Sequence, residues 1–405
     1  MSGLRIGMLA PVPLTSTGTT AARVLPMARA LAAAGHSVDV HVPAYMGTES
    51  DQANPKLAGL ATVGPCRWPL IGSWLTGLAL ALVGAWRLSR GAYDVVHLFR
   101  PTGATGFAAA LLWILRPGPA VVLDADAYEG AAAMSPLEFP SIVRRWWADL
   151  QEHTYRRTND AFTAASGFLL RRGGQNRLQA QIPNFADPVR HRNWSRPGLR
   201  NQGRAALGIP DRSPAVLIYT RFAEYPIDSY AELVEAIRDM VPAAVVMVLG
   251  DGDRGEAERL HKALVRKGLE QGVLQLGWTD ADLLPAILAS CDAACMPALD
   301  TVANAAACPV RYVDLLTAGL PIVAHNVGEA STYVMPGRNG RLLPAGGSAR
   351  SMARALRELL LRPRDRDLDY YSRMRIEGDL APINAARSLE RIYARAIALR
   401  RPAHN

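Results

Sequence analysis

The sequence predicts an α/β chain built from two sets of parallel strands alternating with helices. Three observations carry that expectation. The chain has 405 residues, more than a single hydrophobic core usually serves. Short apolar runs recur along both halves, each followed by a glycine or small-residue turn and then a stretch with helical periodicity. Each half also opens on such a unit, at residues 4–10 (LRIGMLA) and at 215–219 (AVLIY).

In order, residues 4–10 read as a strand, the TSTGTT loop at 15–20 as its turn, and 21–34 as a helix ended by Gly35. Residues 37–42 return as the second strand, completing a βαβ unit. Gly18 lets the backbone approach a phosphate or sugar, although the same glycine also suits a plain turn. Residues 94–97 (DVVH) make a buried strand that ends on His97, and 121–126 (VVLDAD) make another that ends on Asp126. Residues 159–166 form a further strand and turn. The Arg-, Asn- and Pro-rich run 188–210 reads as a linker.

The second set follows. Residues 245–252 (VVMVLGDG) form a strand ending in a glycine turn at Gly250, and 273–278 end in Gly277-Trp278. The chemistry is expected between Met296 and Gly340. There a small-residue loop ends in Cys308-Pro309 and a helix over 310–318 follows, stopped by Gly319 and Pro321. A helix N-terminus presents free amides and a positive dipole end, so Pro309 and Val310 mark a place for a pyrophosphate. Arg311 would add a guanidinium fork. Asp314, one turn on, would accept hydrogen bonds from ribose hydroxyls. The bland alternative is an ordinary helix with a surface i,i+3 pair. Residues 348–361 and 382–399 read as the last helices.

The formal charge is +9 and the pI about 9.6, which favours anionic partners. No nucleic-acid module is recognisable. The four cysteines, Cys66, Cys291, Cys295 and Cys308, form no C-x-x-C pair, so no metal or disulfide framework is expected and the cytoplasm is the expected compartment. The apolar start, 6–12, is too short for a signal peptide. Residues 68–86 hold 19 residues without a charge. That barely reaches the membrane-span window, and a strand follows at once. Two readings remain: a helix packed in the first domain, or a helix that docks on an anionic membrane face. In the second, Trp68, Trp74 and Trp86 and the flanking Arg67, Arg87 and Arg90 meet the interface. The basic stretch 141–158, with Trp146 and Trp147, is either a solvated face or a further attraction for anionic surfaces.

PVRYVDLLTAGLPIVA at 309–324 is similar to the P-x-K-x-x-E-x-x-A-x-G-x-P-V-V-A segment of the retaining nucleotide-sugar glycosyltransferases of the GT-B fold. That large family also holds sucrose synthases and bacterial mannosyl- and glucosyltransferases. NVG at 326–328 with GRNG at 337–340 resembles its V-G-G…G-x-N-G ending. ARALAAAGH at 28–36, YDVVH at 93–97 and QIPNFAD at 181–187 resemble its first-domain motifs.

The resemblance implies two Rossmann-like domains facing a cleft and a C-terminal helix crossing back to the first. The expected bounds are 1–187, a linker at 188–212, 213–380, and a returning helix at 381–405. It implies a nucleotide diphosphate-sugar donor, no cofactor and no metal, so Asp124-Ala-Asp126 is not the D-x-D metal motif of another glycosyltransferase fold. It places Arg221 and Arg311 on phosphate, Asp314 on ribose, and Gly250, Gly277 and Trp278 beneath the nucleotide. Gly18, Thr19, His97, Asp126, Asp300 and Asn304 fall to the sugar or acceptor.

Four departures stand out. TRFAEYP at 220–226 replaces G-R-L-x-x-E-K-G, putting Tyr225 at the lysine and Pro226 at the glycine. Thr19 replaces a loop glycine, Ala306 replaces a glutamate, and Thr332 stands where relatives often have a glutamate. The expected function is retaining sugar transfer to an unspecified acceptor, in the cytoplasm or at the inner membrane face. The alternative is a catalytically weak homologue acting as a scaffold in glycan assembly.

Overall fold

The computed structural model describes residues 3–12, 18–42, 61–63, 73–115, 118–130, 142–155, 157–172, 178–361 and 366–400. The chain divides into two compact units. The first holds Met1–Phe185, Ala306–Cys308 and Leu380–Asn405, and the second holds Ala186–Ala305 and Pro309–Asp379.

The first unit is a seven-stranded parallel sheet. Its strands are β1 (Arg5–Leu9), β2 (Ser37–His41), β3 (Ala61–Val63), β4 (Val95–Phe99), β5 (Ala120–Ala125), β6 (Ala161–Ala164) and β7 (Gln179–Gln181). They lie in the order β3-β2-β1-β4-β5-β6-β7. Every residue of β4, β5 and β6 is buried, as expected for parallel strands covered by helices on both faces. The second unit repeats the plan with β8 (Ala215–Tyr219), β9 (Val245–Leu249), β10 (Val273–Gly277), β11 (Ala293–Met296), β12 (Ile322–His325) and β13 (Gly340–Leu343). Its order is β10-β9-β8-β11-β12-β13, again parallel. Both orders reverse beside their first strand, the switch point at which such sheets bind ligands beyond their carboxyl ends. These are the two Rossmann-like α/β sheets of the GT-B fold.

Two local features differ from the sequence reading. The helix after β1 opens as a π-turn, Thr20–Val24, before its α-helical part Leu25–Ala33. Pro26 has no N–H to donate to Ala22, and Leu25 donates instead to Thr20, five residues back. The 188–212 run is more than a linker. It carries a helix, Leu199–Leu207, whose Arg200 and Arg204 both reach the Asp292 carboxylate, at 2.6 and 3.4 Å.

The centre of the first unit is polar. Arg23, 2% exposed, forks onto Asp124 at 2.5 and 2.7 Å and donates to the Ile182 carbonyl and to Asn184 Oδ1. Thr163 donates to Asp124 Oδ2 at 2.6 Å. The last helix, Pro382–Arg400, packs on Leu25–Ala33 and on β5–β7. It is fixed by Glu390 on His36 (2.9 Å), Arg400 on Asp160 (2.6 Å) and Tyr393 on His97 (2.7 Å). Arg23→Met strands the Asp124 charge in the core and should destabilise the first unit by about 3–5 kcal/mol. The loss should be measurable as a lowered denaturant midpoint for that unit.

Candidate functional site

In the second unit the carboxyl ends of β8, β9 and β10 meet in a glycine-lined edge. The Gly250 N–H donates to the Gly277 carbonyl at 3.0 Å. Gly250 has φ +129°, and a Cβ there would sit 1.8 Å from the Thr220 carbonyl oxygen, so no other residue fits. Gly277 has φ +60° and open space around it, and Trp278 beside it is 47% exposed. Gly250 thus packs its backbone closely against the end of β8, while Gly277 leaves open space at its strand end, where a nucleotide can approach.

The loop after β8 is built around Glu224. Arg311, 7% exposed, donates Nη1 to the Tyr219 carbonyl at 2.7 Å and Nη2 to Glu224 Oε1. The other Glu224 oxygen accepts from Thr220 Oγ1 (3.3 Å) and the Arg221 amide (3.2 Å). The Arg311 charge holds the Glu224 carboxyl below its ordinary range against the opposing effect of burial. Phe222 is turned inward at 6% exposure with φ +61°, a left-handed conformation rare for an aromatic residue. Arg221 is exposed at the loop. Tyr225, at the lysine position, packs its ring near Tyr230 (5.5 Å) and His325 (5.8 Å).

Arg311 is thus placed differently from the sequence expectation. Its fork closes on Glu224 and a backbone carbonyl, because a fully enclosed guanidinium needs acceptors on all sides. Asp314 is likewise enclosed, at 0% exposure. Arg190 grips both its oxygens, at 2.8 and 2.6 Å, and His191 Nε2 donates to Oδ1 at 3.0 Å. Tyr219 Oη lies 3.4 Å from Oδ2. These groups overcome the effect of burial and hold the Asp314 carboxyl at about 2. Its lone pairs are occupied by protein donors rather than presented to a ribose. Neither an exposed helical pair nor an open ribose acceptor describes this Arg and Asp.

The helix here is short, Arg311–Thr317, and its Tyr312 amide already bonds the Pro309 carbonyl at 3.2 Å while Asp314 N bonds Val310 O at 3.1 Å. Asn304 Nδ2 pins the carbonyls of Glu224 and Leu299, both at 2.9 Å, and Asp300 is exposed next to them.

In the first unit, Asp126 accepts from Thr19 Oγ1 at 2.8 Å, so the Gly18-Thr19 turn and the end of β5 are joined. Both residues are partly exposed. His97 is placed otherwise than expected. It is 0% exposed, its Nδ1 accepts from Tyr393 Oη, and its Nε2 faces Thr163 Oγ1 at 3.3 Å. Thr163 gives its own proton to Asp124, so His97 Nε2 carries hydrogen and Nδ1 does not. Burial lowers its pKa to about 4, making it a neutral core histidine. Ala306 sits at 0% exposure in an apolar cluster with Phe162, Ala164 and Leu169, where a glutamate would be a buried charge.

Arg190, His191 and Glu224 escaped the sequence reading. The PVRH run after Asp187 carries the first two, but only folding brings them 123 and 124 residues along the chain to Asp314. Trp68, Arg67 and Cys66 lie outside the described residues. Among the described residues no helix is long and apolar enough to cross a membrane.

Two doubly wound parallel sheets, the second with a glycine-lined strand edge, suit a GT-B architecture, and comparison with known proteins supplies the class of protein. Residues 213–362 match the model "Glycosyl transferases group 1", and 18–184 match "Glycosyl transferase 4-like domain". The chain is a glycosyltransferase, with a group 1 domain in its second half and a glycosyltransferase 4-like domain in its first. It is 25% identical over 360 residues to the phosphatidyl-myo-inositol mannosyltransferase of Mycobacterium leprae, covering 88% of this chain and 87% of that one. Its fold is similar to sucrose-phosphate synthase from Thermosynechococcus elongatus, with a TM-score of 0.73 and 19% identity over 98% of this chain and 100% of that one. It is also similar to Anabaena HepE, solved with UDP and glucose, with a TM-score of 0.71 and 17% identity over 96% of this chain and 99% of that one.

Asp314 has a testable pH signature. Its folded pKa lies below the ordinary 3.8, so its contribution is fully present above about pH 4 and is lost as pH falls through about 2. Asp314→Asn should lower stability by about 2 kcal/mol at pH 7. That difference from the unmodified chain should shrink between pH 4 and 2 in denaturant titrations.

Proposed function

We propose that this glycosyltransferase moves a sugar from a nucleotide diphosphate-sugar to a hydroxyl acceptor with retention of anomeric configuration. The observation that carries the donor assignment is the open space at Gly277-Trp278, at the carboxyl end of the second sheet, together with the exposed Arg221 on the loop after β8. Anabaena HepE, of the same fold, was solved with UDP and glucose. In this reading the base lies on the Gly277-Trp278 backbone and Arg221 meets the diphosphate. Arg311 acts through Glu224, holding the loop that carries Arg221, and Asp314 holds Arg190 and His191. Asp300, Asn304 and the Val310 amide border the sugar and phosphate. Asp126 and the Gly18-Thr19 turn serve the acceptor. His97 supports the sheet beneath them. The leaving phosphate takes the acceptor proton, so the protein's chief task is to stabilise charge developing on the diphosphate.

The Glu224-neutralised Arg311 and the packed Tyr225 favour a second reading, a weakly catalytic scaffold homologue. Thermal stabilisation across UDP-, GDP- and ADP-sugars separates the two, because a ligand bound only by the folded state raises the melting temperature. A shift with one donor class is expected; no shift at saturating concentrations sinks the enzyme reading. Removing the Arg221 guanidinium (Arg221→Ala) should cut kcat/KM by about 100-fold or more. Unchanged turnover would refute its phosphate role.

We also infer that the enzyme works on an anionic membrane surface. The Ser73–Arg90 helix exposes Leu78, Leu82 and Trp86, four residues apart on one stripe, with the Arg90 guanidinium 4.8 Å over the Trp86 ring. The Gly103–Leu115 helix packs against it and exposes Ile114 and Leu115. The Ile142–Tyr155 helix, packed next, exposes Trp146, Trp147 and Leu150. Apolar stripes flanked by arginines suit the lipid interface. Replacing Leu82 and Trp86 by glutamate should release the protein from anionic vesicles in flotation; retention of full binding would refute this face.

A further inference from the structure

A separate pocket opens within the first unit, under the inner side of the Ser73–Arg90 helix. Its floor is the carboxyl end of the sheet: Leu9 and Ala10 after β1, and His41 and Val42 after β2. Leu80, Val83 and Gly84 of the helix form one wall, and Ala104 at the start of Gly103–Leu115 closes another. Its walls are mostly apolar, with Arg87 among the few polar residues that line it. The space between these walls, open solvent at the mouth included, is about 510 Å³. Gly84 is part of its shape: a Cβ there would lie 3.0 Å from Leu9 Cδ2.

One polar atom in this apolar setting has no partner. His41 is 5% exposed, and its Nδ1 is buried without a hydrogen bond. Its protonation follows from a short chain of bonds. Tyr93 Oη donates to Asp39 Oδ2 at 2.8 Å, so its oxygen is left to accept from His41 Nε2 at 3.1 Å. Nε2 therefore carries the hydrogen and Nδ1 is a bare acceptor. Burial, opposed by the Asp39 carboxylate and assisted by the Arg87 charge, lowers the His41 pKa to about 4, so the ring stays neutral near pH 7. Buried acceptors in native proteins are rarely left unpaired. His41, Asp39 and Tyr93 play no part in the donor site.

We propose that this pocket holds the apolar body of an acceptor alcohol, an alkyl- or prenyl-like chain, whose hydroxyl donates to His41 Nδ1. The walls exclude a free sugar, which would bring many hydroxyls to a surface with few partners for them. A lone hydroxyl on an apolar body satisfies the one acceptor and buries the rest. The inference rests on the transferase reading, since such enzymes take hydroxyl acceptors, and it supplies the acceptor's chemical class.

The test needs neither donor nor turnover, so its failure is distinct from failure of the donor panel. Calorimetric titration of the full chain compares 1-octanol with methyl octyl ether, which has no hydroxyl to donate. The alcohol should bind about ten-fold tighter than the ether, the scale of one hydrogen bond. Val83→Phe, which fills the pocket, should weaken both by about ten-fold or more, the scale of losing a buried alkyl contact. His41→Phe should leave the ether unchanged and bring the alcohol down to it. Equal affinity of the two probes for the unmodified protein overturns the proposal without recourse to any variant. So does undiminished octanol binding by a folded Val83→Phe protein.

Discussion

A charge removed from water has to be met by an opposite charge, and each unit of this protein is arranged around that requirement. Asp124 lies at the end of β5 with no exposure and is met by Arg23, Thr163 and their neighbours. Asp314 lies in the first turn of its helix with no exposure and is met by Arg190 and His191. Each fork spans a long stretch of chain: 101 residues for Arg23 and Asp124, and 124 for Arg190 and Asp314. Such pairs contribute little over an apolar substitute but cost heavily when one partner is lost. They fix which segments meet, more than how firmly the unit holds.

The same requirement shapes the candidate site. Arg311 cannot sit enclosed without an acceptor, and Glu224 supplies it from the loop after β8. The loop is thereby held with Phe222 inward and Arg221 outward, despite the unfavourable φ of Phe222. A residue that resembles a phosphate ligand by its place in the sequence thus acts on the phosphate site through a neighbour. At the Tyr225 departure the ring joins an aromatic group with Tyr230 and His325.

The strands were legible because parallel strands buried on both faces are short apolar runs with glycine turns. The run at 215–219 matches its observed strand residue for residue, and others, such as 273–278 against Val273–Gly277, differ only at their ends. The π-turn at Thr20–Val24 was not legible, since it turns on one missing amide at Pro26. Nor was the Leu199–Leu207 helix, whose arginines look like linker composition until Asp292 is seen beneath them. In the candidate site, the glycines at 250 and 277 could be read from the sequence, because a positive φ at a strand end depends on the residue itself.

By itself, the sequence determined the alternation of strands and helices, the two-sheet plan, the family, and the positions where only glycine fits. These follow from periodicity and from the backbone freedom of single residues, both local properties. The tertiary structure decided the state of every key charge and imidazole: Arg311 closed on Glu224, Asp314 enclosed by Arg190, His97 satisfied by Tyr393, and His41 left with an unpaired nitrogen. Those states depend on which distant groups share a buried volume, and solvation at a point in space is not a property that any short stretch of chain carries.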